Sequence, residues 1–206
     1  MPASYAEPYD ADRPAVCFDE CGKELHGQVA EPVPVAPGRP AKEDSERVRH
    51  GTANLFPIAE PLAGRRRVTV RARRTIPDFA ARMKYRCDRV CPDAAVIRVA
   101  LDDPNTHTPG SPFASFPPDE ARRLARRLES HDTPKPASWL NAAECALRVL
   151  AGQCLGRRIP TGEQLAAEVA AWVARRNAEK ARIVWAVRVA DARRKLDFLY
   201  PKEFPR

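Results

Sequence analysis

Ala94-Ala95-Val96-Ile97-Arg98-Val99-Ala100-Leu101-Asp102 is almost entirely apolar and ends on an acid. A strand with one face in water alternates apolar and polar residues, so a run this uniform belongs in mid-sheet, parallel to its neighbours and covered on both sides. Upstream, Ala15-Val16-Cys17-Phe18-Asp19-Glu20 repeats the pattern in shorter form. Two buried strands that each end in a carboxylate imply an α/β sheet whose strand ends face a crevice. A third acid, Glu144 in Ser138-Trp139-Leu140-Asn141-Ala142-Ala143-Glu144, follows Asn141 by one turn of a helix expected from about Trp139 to Leu155. Carboxylates suit hard, oxygen-loving cations. Asp19, Asp102 and Glu144 are therefore the candidate catalytic and metal-ligating residues of a phosphoryl-transfer site. Three acids crowded together repel one another, so without metal at least one should hold its proton above the usual range.

Other elements can be read outward from these strands. Asn54–Glu60 and Arg67–Arg71 flank Pro61-Leu62-Ala63-Gly64 and read as a hairpin, with Val68 and Val70 on one face of its second arm. A helix is expected from Pro77, a residue type favoured at the first helical position, to Val90. Another opens at Pro118, with Ala121, Leu124, Ala125 and Leu128 at core spacing. Its other face carries Arg122, Arg123, Arg126 and Arg127, which reads either as a solvated face or as one that tracks phosphates. Leu128–Asp132 is a short strand ended by Thr133-Pro134-Lys135-Pro136. Amphipathic helices follow near 161–178, where Thr161 and Gln164 make a capping-box pattern, and near 189–199. This order gives an α/β fold with mixed strand pairing. Three regions follow: a tail (1–13), a catalytic unit (14–158) with a Pro-rich excursion at 31–49, and a C-terminal helical extension (159–206).

The chain has 206 residues, 44% of them hydrophobic, which is enough for one buried core. Lys and Arg number 35 against 27 Asp and Glu, a formal charge of +8 that favours a polyanionic partner, nucleic acid first. Arginine supplies most of it, and its planar fork suits phosphate, although GC-rich coding gives the same bias. There is neither a secretory signal nor a run of about 20 apolar residues, so the expectation is a cytoplasmic protein with no membrane partner. Cys17/Cys21 and Cys87/Cys91 have three intervening residues where a zinc knuckle has two. Buried thiols are expected, and no zinc.

Taken in order, several blocks resemble the signature segments of bacterial insertion-sequence transposases, the six-thirty family of the mariner superfamily. They are Cys17-Phe18-Asp19-Glu20, Arg49-His50-Gly51-Thr52-Ala53-Asn54-Leu55-Phe56, Glu60-Pro61-Leu62-Ala63-Gly64, Asp102-Asp103-Pro104-Asn105-Thr106-His107-Thr108, Thr133-Pro134-Lys135 and Ser138–Glu144, with Trp172, Arg175, Arg176 and Asn177 later. The resemblance implies an RNase H-like mixed five-stranded sheet flanked by helices, with extra C-terminal helices. It also implies that Asp19, Asp102 and Glu144 form an Asp, Asp, Glu triad holding two Mg²⁺ or Mn²⁺ ions.

On that reading Asp103, Asn105, His107, Lys135 and Asn141 are supporting residues. Asn141 and His107 would orient a carboxylate or phosphate, although a solvent-facing loop histidine is equally compatible with His107. Arg65, Arg66 and Arg67 join the four helical arginines as DNA-binding candidates. The implied partners are transposon terminal inverted repeats, target DNA, a separately encoded helix-turn-helix part and a second copy of the chain. The implied activity is strand cleavage and strand transfer at insertion-sequence ends; the alternative is a truncated, inactive relic that keeps the fold and binds DNA. The family has Asn where Asp103 stands and His where Pro136 stands, and Ala146 occupies a position that is often acidic.

Overall fold

The computed structural model describes residues 7–30, 33–42, 45–102, 108, 110–133 and 140–197. They form β1 (Ala15–Phe18), β2 (Cys21–Gln28), β3 (Arg47–Glu60), β4 (Arg65–Arg71), α1 (Ile76–Tyr85), β5 (Ile97–Leu101), α2 (Pro118–Arg127), β6 (Leu128–Asp132), α3 (Ala142–Leu150), α4 (Gly162–Ala178) and α5 (Val189–Lys195). π-helical turns at Arg86–Val90 and Ala151–Leu155 extend α1 and α3.

The strands make one six-stranded mixed sheet in the order β2-β3-β1-β5-β6, with β4 on β3. β1 pairs antiparallel with β3 and parallel with β5, and β5 pairs parallel with β6. β1 and β2 lie end to end along one edge of β3. Phe18 faces Ile58 and Cys21 faces Leu55, three steps each way, so the register carries unbroken through Asp19 and Glu20. Five strands were expected from sequence; six form, and counting β1 and β2 as one interrupted strand brings the number to five.

β2 was not expected from sequence. Lys23, Glu24, His26 and Gln28 make a polar segment, and its alternating exposure shows an edge strand formed by its pairing to β3. The Pro-rich excursion, expected at 31–49, lies between Gln28 and Arg47 because β3 already begins at Arg47, and it contains the bridges Val33–Lys42 and Ala36–Arg39. The helix bearing Glu144 starts at Ala142, not Trp139, because Asn141 takes the extended conformation of a cap. The last helix spans Val189–Lys195, shorter than the expected 189–199.

Two-residue alternation divides the core. Val16, Phe18, Ile97, Val99 and Leu101 join Phe79 and Met83 of α1 and Leu124 of α2 on one side of the sheet. Cys17, Ala59 and Ala100 point the other way and meet Ala142, Ala143 and Ala146 of α3. Small side chains on both surfaces let α3 lie close on the sheet. Further along that side, Leu55, Leu150, Leu165, Val169 and Trp172 pack α4 against β3 and β4.

Two polar anchors fix the β3–β4 hairpin. Glu60 is 1% exposed and pairs with both Arg65 and the buried Arg86. Asn177 of α4 accepts from the Arg66 backbone N–H at 2.9 Å and donates to its carbonyl at 2.8 Å, as a neighbouring strand would. Gly64 turns the hairpin with φ +68°, and a Cβ there would lie 2.5 Å from the Lys180 carbonyl oxygen. Both the backbone conformation and the contact demand glycine.

Removing one partner of a buried ion pair leaves the other charge desolvated. Glu60→Gln should cost about 3 kcal/mol of unfolding free energy by urea titration, because Arg86 then has no carboxylate. Loss of less than about 1 kcal/mol would show that the pair contributes little.

Candidate active site

Register brings the first two acids together. Cys17 of β1 is opposite Ala100 of β5, and both face α3. Two residues further along each parallel strand, on the same face by alternation, come Asp19 and Asp102. Their carboxyl groups share a hydrogen bond, and Glu144 in the first turn of α3 adds its charge from above. Asp19 is 6% exposed, its backbone N–H donates to the Pro57 carbonyl at 3.3 Å, and its Oδ1 accepts from the Glu20 backbone N–H at 2.7 Å.

A buried polar side chain holds each acid-bearing strand end at the carbonyl just before the acid. The Asn141 amide donates to the Phe18 carbonyl at 2.8 Å, while its Oδ1 caps α3 by accepting from the Ala143 N–H at 3.1 Å. The Thr133 hydroxyl and backbone N–H both donate to the Leu101 carbonyl, at 3.1 and 2.8 Å. Asn141 was expected to orient a carboxylate or phosphate; both its bonds run to backbone, so it joins the helix of Glu144 to the strand of Asp19. Thr133 had no assigned role in the sequence reading. The available signal was a Thr directly after a strand and before Pro134, where a side chain can take over a ladder bond that the proline lacks.

Burial pushes the Asp19 carboxyl up to about 7, reinforced by repulsion from Asp102 and then Glu144 and opposed by the Glu20 N–H. An acid raised by crowding was the expectation; here burial leads and the neighbouring carboxyl groups add to it. Asp19 and Asp102 thus share a proton rather than both ionising. Among the described residues no three His, Cys, Asp or Glu side chains close into a group able to hold one cation. Two carboxylates in contact and a third within Coulombic reach nevertheless form an oxygen donor set that a divalent cation would draw together, displacing the shared proton.

Asp103, Asn105, His107 and Lys135 lie outside the described residues. Several arginine candidates have other tasks. Arg127 donates to the carbonyls of Cys87, Cys91, Pro92 and Ala94, closing the end of the π-helical turn. Arg123 pairs with Glu120 and Asp88. Arg66 lies over Trp172 at 5.7 Å and donates to the Ala181 carbonyl. These bonds commit Arg127 and Arg123 to the fold, and Arg66 too except for its Nε. Arg122 is exposed beside Asp119, and Arg126 is exposed. Arg67 stacks on Tyr85 at 4.2 Å and Arg65 bonds Tyr9 and Glu60. Burial drives the Cys17 thiol to about 12 and those of Cys21 and Cys87 to about 11, as for packing residues. No described helix is long and apolar enough to cross a membrane.

The folded protein holds the Asp19 proton up to about pH 7, whereas an unfolded aspartate releases it near pH 4. Metal-free protein therefore loses stability as pH rises from about 4 to about 7. In EDTA, Asp19→Asn should match the wild type near pH 4 and exceed it by on the order of 2 kcal/mol at pH 7.5 in thermal melts. A constant difference across that range would contradict the shared proton.

The site can be set beside known proteins. No curated protein matches this chain. Among solved structures, the Mos1 mariner paired-end complex with manganese is 12% identical over 87% of this chain, with a TM-score of 0.47; the chain covers 59% of it. The Mos1 transposase paired-end complex with the left transposon end is 10% identical over 83% of this chain, with a TM-score of 0.42 and 56% of that chain covered. This chain thus spans less than two thirds of either. A family model described as DDE superfamily endonuclease matches residues 14–166 and takes in Asp19, Asp102 and Glu144. Over most of its length, the chain belongs to the DDE superfamily endonucleases.

Proposed function

We propose that this domain is a transposase-type endonuclease of the insertion-sequence six-thirty family, cleaving DNA at transposon ends and joining them to target DNA. The supporting observation is the β1–β5 register, which puts Asp19 beside Asp102 with Glu144 on the helix above. Asp19, Asp102 and Glu144 are the metal ligands on this reading. When bound there, Mg²⁺ or Mn²⁺ supplies Lewis-acid stabilisation for an in-line displacement at phosphorus.

The rest follows from the chain's own groups. Asp19 and Asp102 surrender their shared proton as the cations bind, so loading favours higher pH. Asn141 and Thr133 keep the two strand ends at fixed height beneath the scissile phosphate. A water oxygen attacks phosphorus and gives up a proton, the bond to the leaving oxygen breaks, and that oxygen takes up a proton; in strand transfer a DNA 3′-hydroxyl replaces the water. Terminal inverted repeats and target DNA are the proposed substrates, with a second copy of the chain and a helix-turn-helix part as partners.

Purified protein should nick or cut inverted-repeat DNA with Mg²⁺ or Mn²⁺, and Asp102→Asn should reduce cleavage to background in gel assays. Metal-independent DNA binding without cleavage would instead identify the relic. Thr133→Val should lower the cleavage rate by about 10²-fold with little change in DNA affinity, as expected for a sub-ångström shift of Asp102. Thr133→Ser should restore the rate, and failure of that rescue would make Thr133 merely structural.

A further inference from the structure

A cavity of about 1080 Å³ opens at the far end of the sheet from the acids. Its wall includes Pro61 and Leu62 of the β3–β4 turn, whereas Asp19 lies level with Pro57. The extended segment after α4 covers one side, tied by the Ile183 N–H to the Pro61 carbonyl at 3.1 Å. It is therefore a separate site.

Its charge is unbalanced. Arg65, Arg66, Arg67, Arg86, Lys180 and Arg182 all line it. Arg65 and Arg86 share the one carboxylate of Glu60, and the lining acid Glu7 is taken by Arg98 at 2.6 Å. The Lys180 and Arg182 side chains make no ion pair among the described residues. Arg86 is 3% exposed and Arg66 8%, yet the Nε of each has no hydrogen-bond partner among the described residues. Burying donors without acceptors is costly, and a concave surface of one sign concentrates counter-ions. Tyr9, Tyr85 and Trp185 line it beside Leu62, Val90 and Val184, with Arg67 over the Tyr85 ring. Cations beside aromatic faces suit a ligand with both an anionic group and a planar ring.

We propose that this cavity is a second, non-catalytic nucleic-acid site, taking a phosphodiester at Lys180 and Arg182, lining cations without an ion pair among the described residues, with the attached base against the aromatic wall. Its size lies at the upper end for small-ligand pockets and admits a short run of a single strand. The choice of a nucleic-acid strand over a free nucleotide rests on the proposed DNA-processing role; the anion and ring chemistry does not.

The test uses the full chain with a fluorescein-labelled oligothymidylate, measured by anisotropy over a range of salt. The double variant Lys180→Glu/Arg182→Glu should weaken binding at least about tenfold and flatten the slope of log affinity against log salt by about 1.4, the value for two lost single-strand phosphate contacts. Arg122→Glu/Arg126→Glu, the same charge change on α2, should do neither. Unchanged melting temperatures exclude misfolding. If the α2 pair alone weakens binding, or neither pair does, the proposal is overturned. If thymidine monophosphate binds as tightly as the oligonucleotide and is lost in the Lys180/Arg182 variant, the site stands with a free nucleotide as occupant. If inorganic phosphate alone binds equally well, the aromatic wall plays no part and the proposal falls. Cleavage is scored separately with Mg²⁺, so an inactive protein that still binds here removes the catalytic reading and leaves this one intact.

Discussion

β1 is only four residues long, yet it pairs in opposite senses with two neighbours, antiparallel to β3 and parallel to β5. The antiparallel ladder fixes how far Asp19 stands above the sheet, because the register runs on through it into β2. The parallel ladder fixes what stands beside it. A slip of one residue in either would turn Asp19 toward the Phe79 and Met83 side and separate it from Asp102. The candidate site thus depends on hydrogen-bond register more than on any single side-chain contact.

The polar groups around that strand protect the register. Asn141 and Thr133 occupy the carbonyls at which the ladders end, where a free carbonyl would invite water and fraying. At the other end, Glu60 with its two arginines and Asn177 with Arg66 hold the hairpin and α4 in place. Burial first, and repulsion from Asp102 and Glu144 after it, raise Asp19 within this frame. A site that must collect divalent cations benefits from negative charge held in place before the cations arrive.

Arginine is abundant in this chain, but its uses differ. Arg127 closes a helical turn, Arg123 neutralises two acids and Arg66 docks α4. Net charge and helix-face patterning cannot separate these structural arginines from ones that meet a ligand, since all are basic residues beside apolar positions. What separates them is how much of the guanidinium a carboxylate or carbonyl already fills.

Sequence by itself determined the buried strands ending in Asp19 and Asp102, the β3–β4 hairpin, the parallel setting of β5 and the helix carrying Glu144. Each of these is written in local periodicity, turn residues or a cap, interactions among residues close in the chain. β2 was not legible, since its polar residues become a strand only by pairing with β3. The jobs of Asn141 and Thr133, the diversion of Arg66, Arg123 and Arg127, and the basic cavity were decided by tertiary structure. They depend on which distant carbonyl, carboxylate or ring a side chain meets, and local pattern carries no information about that.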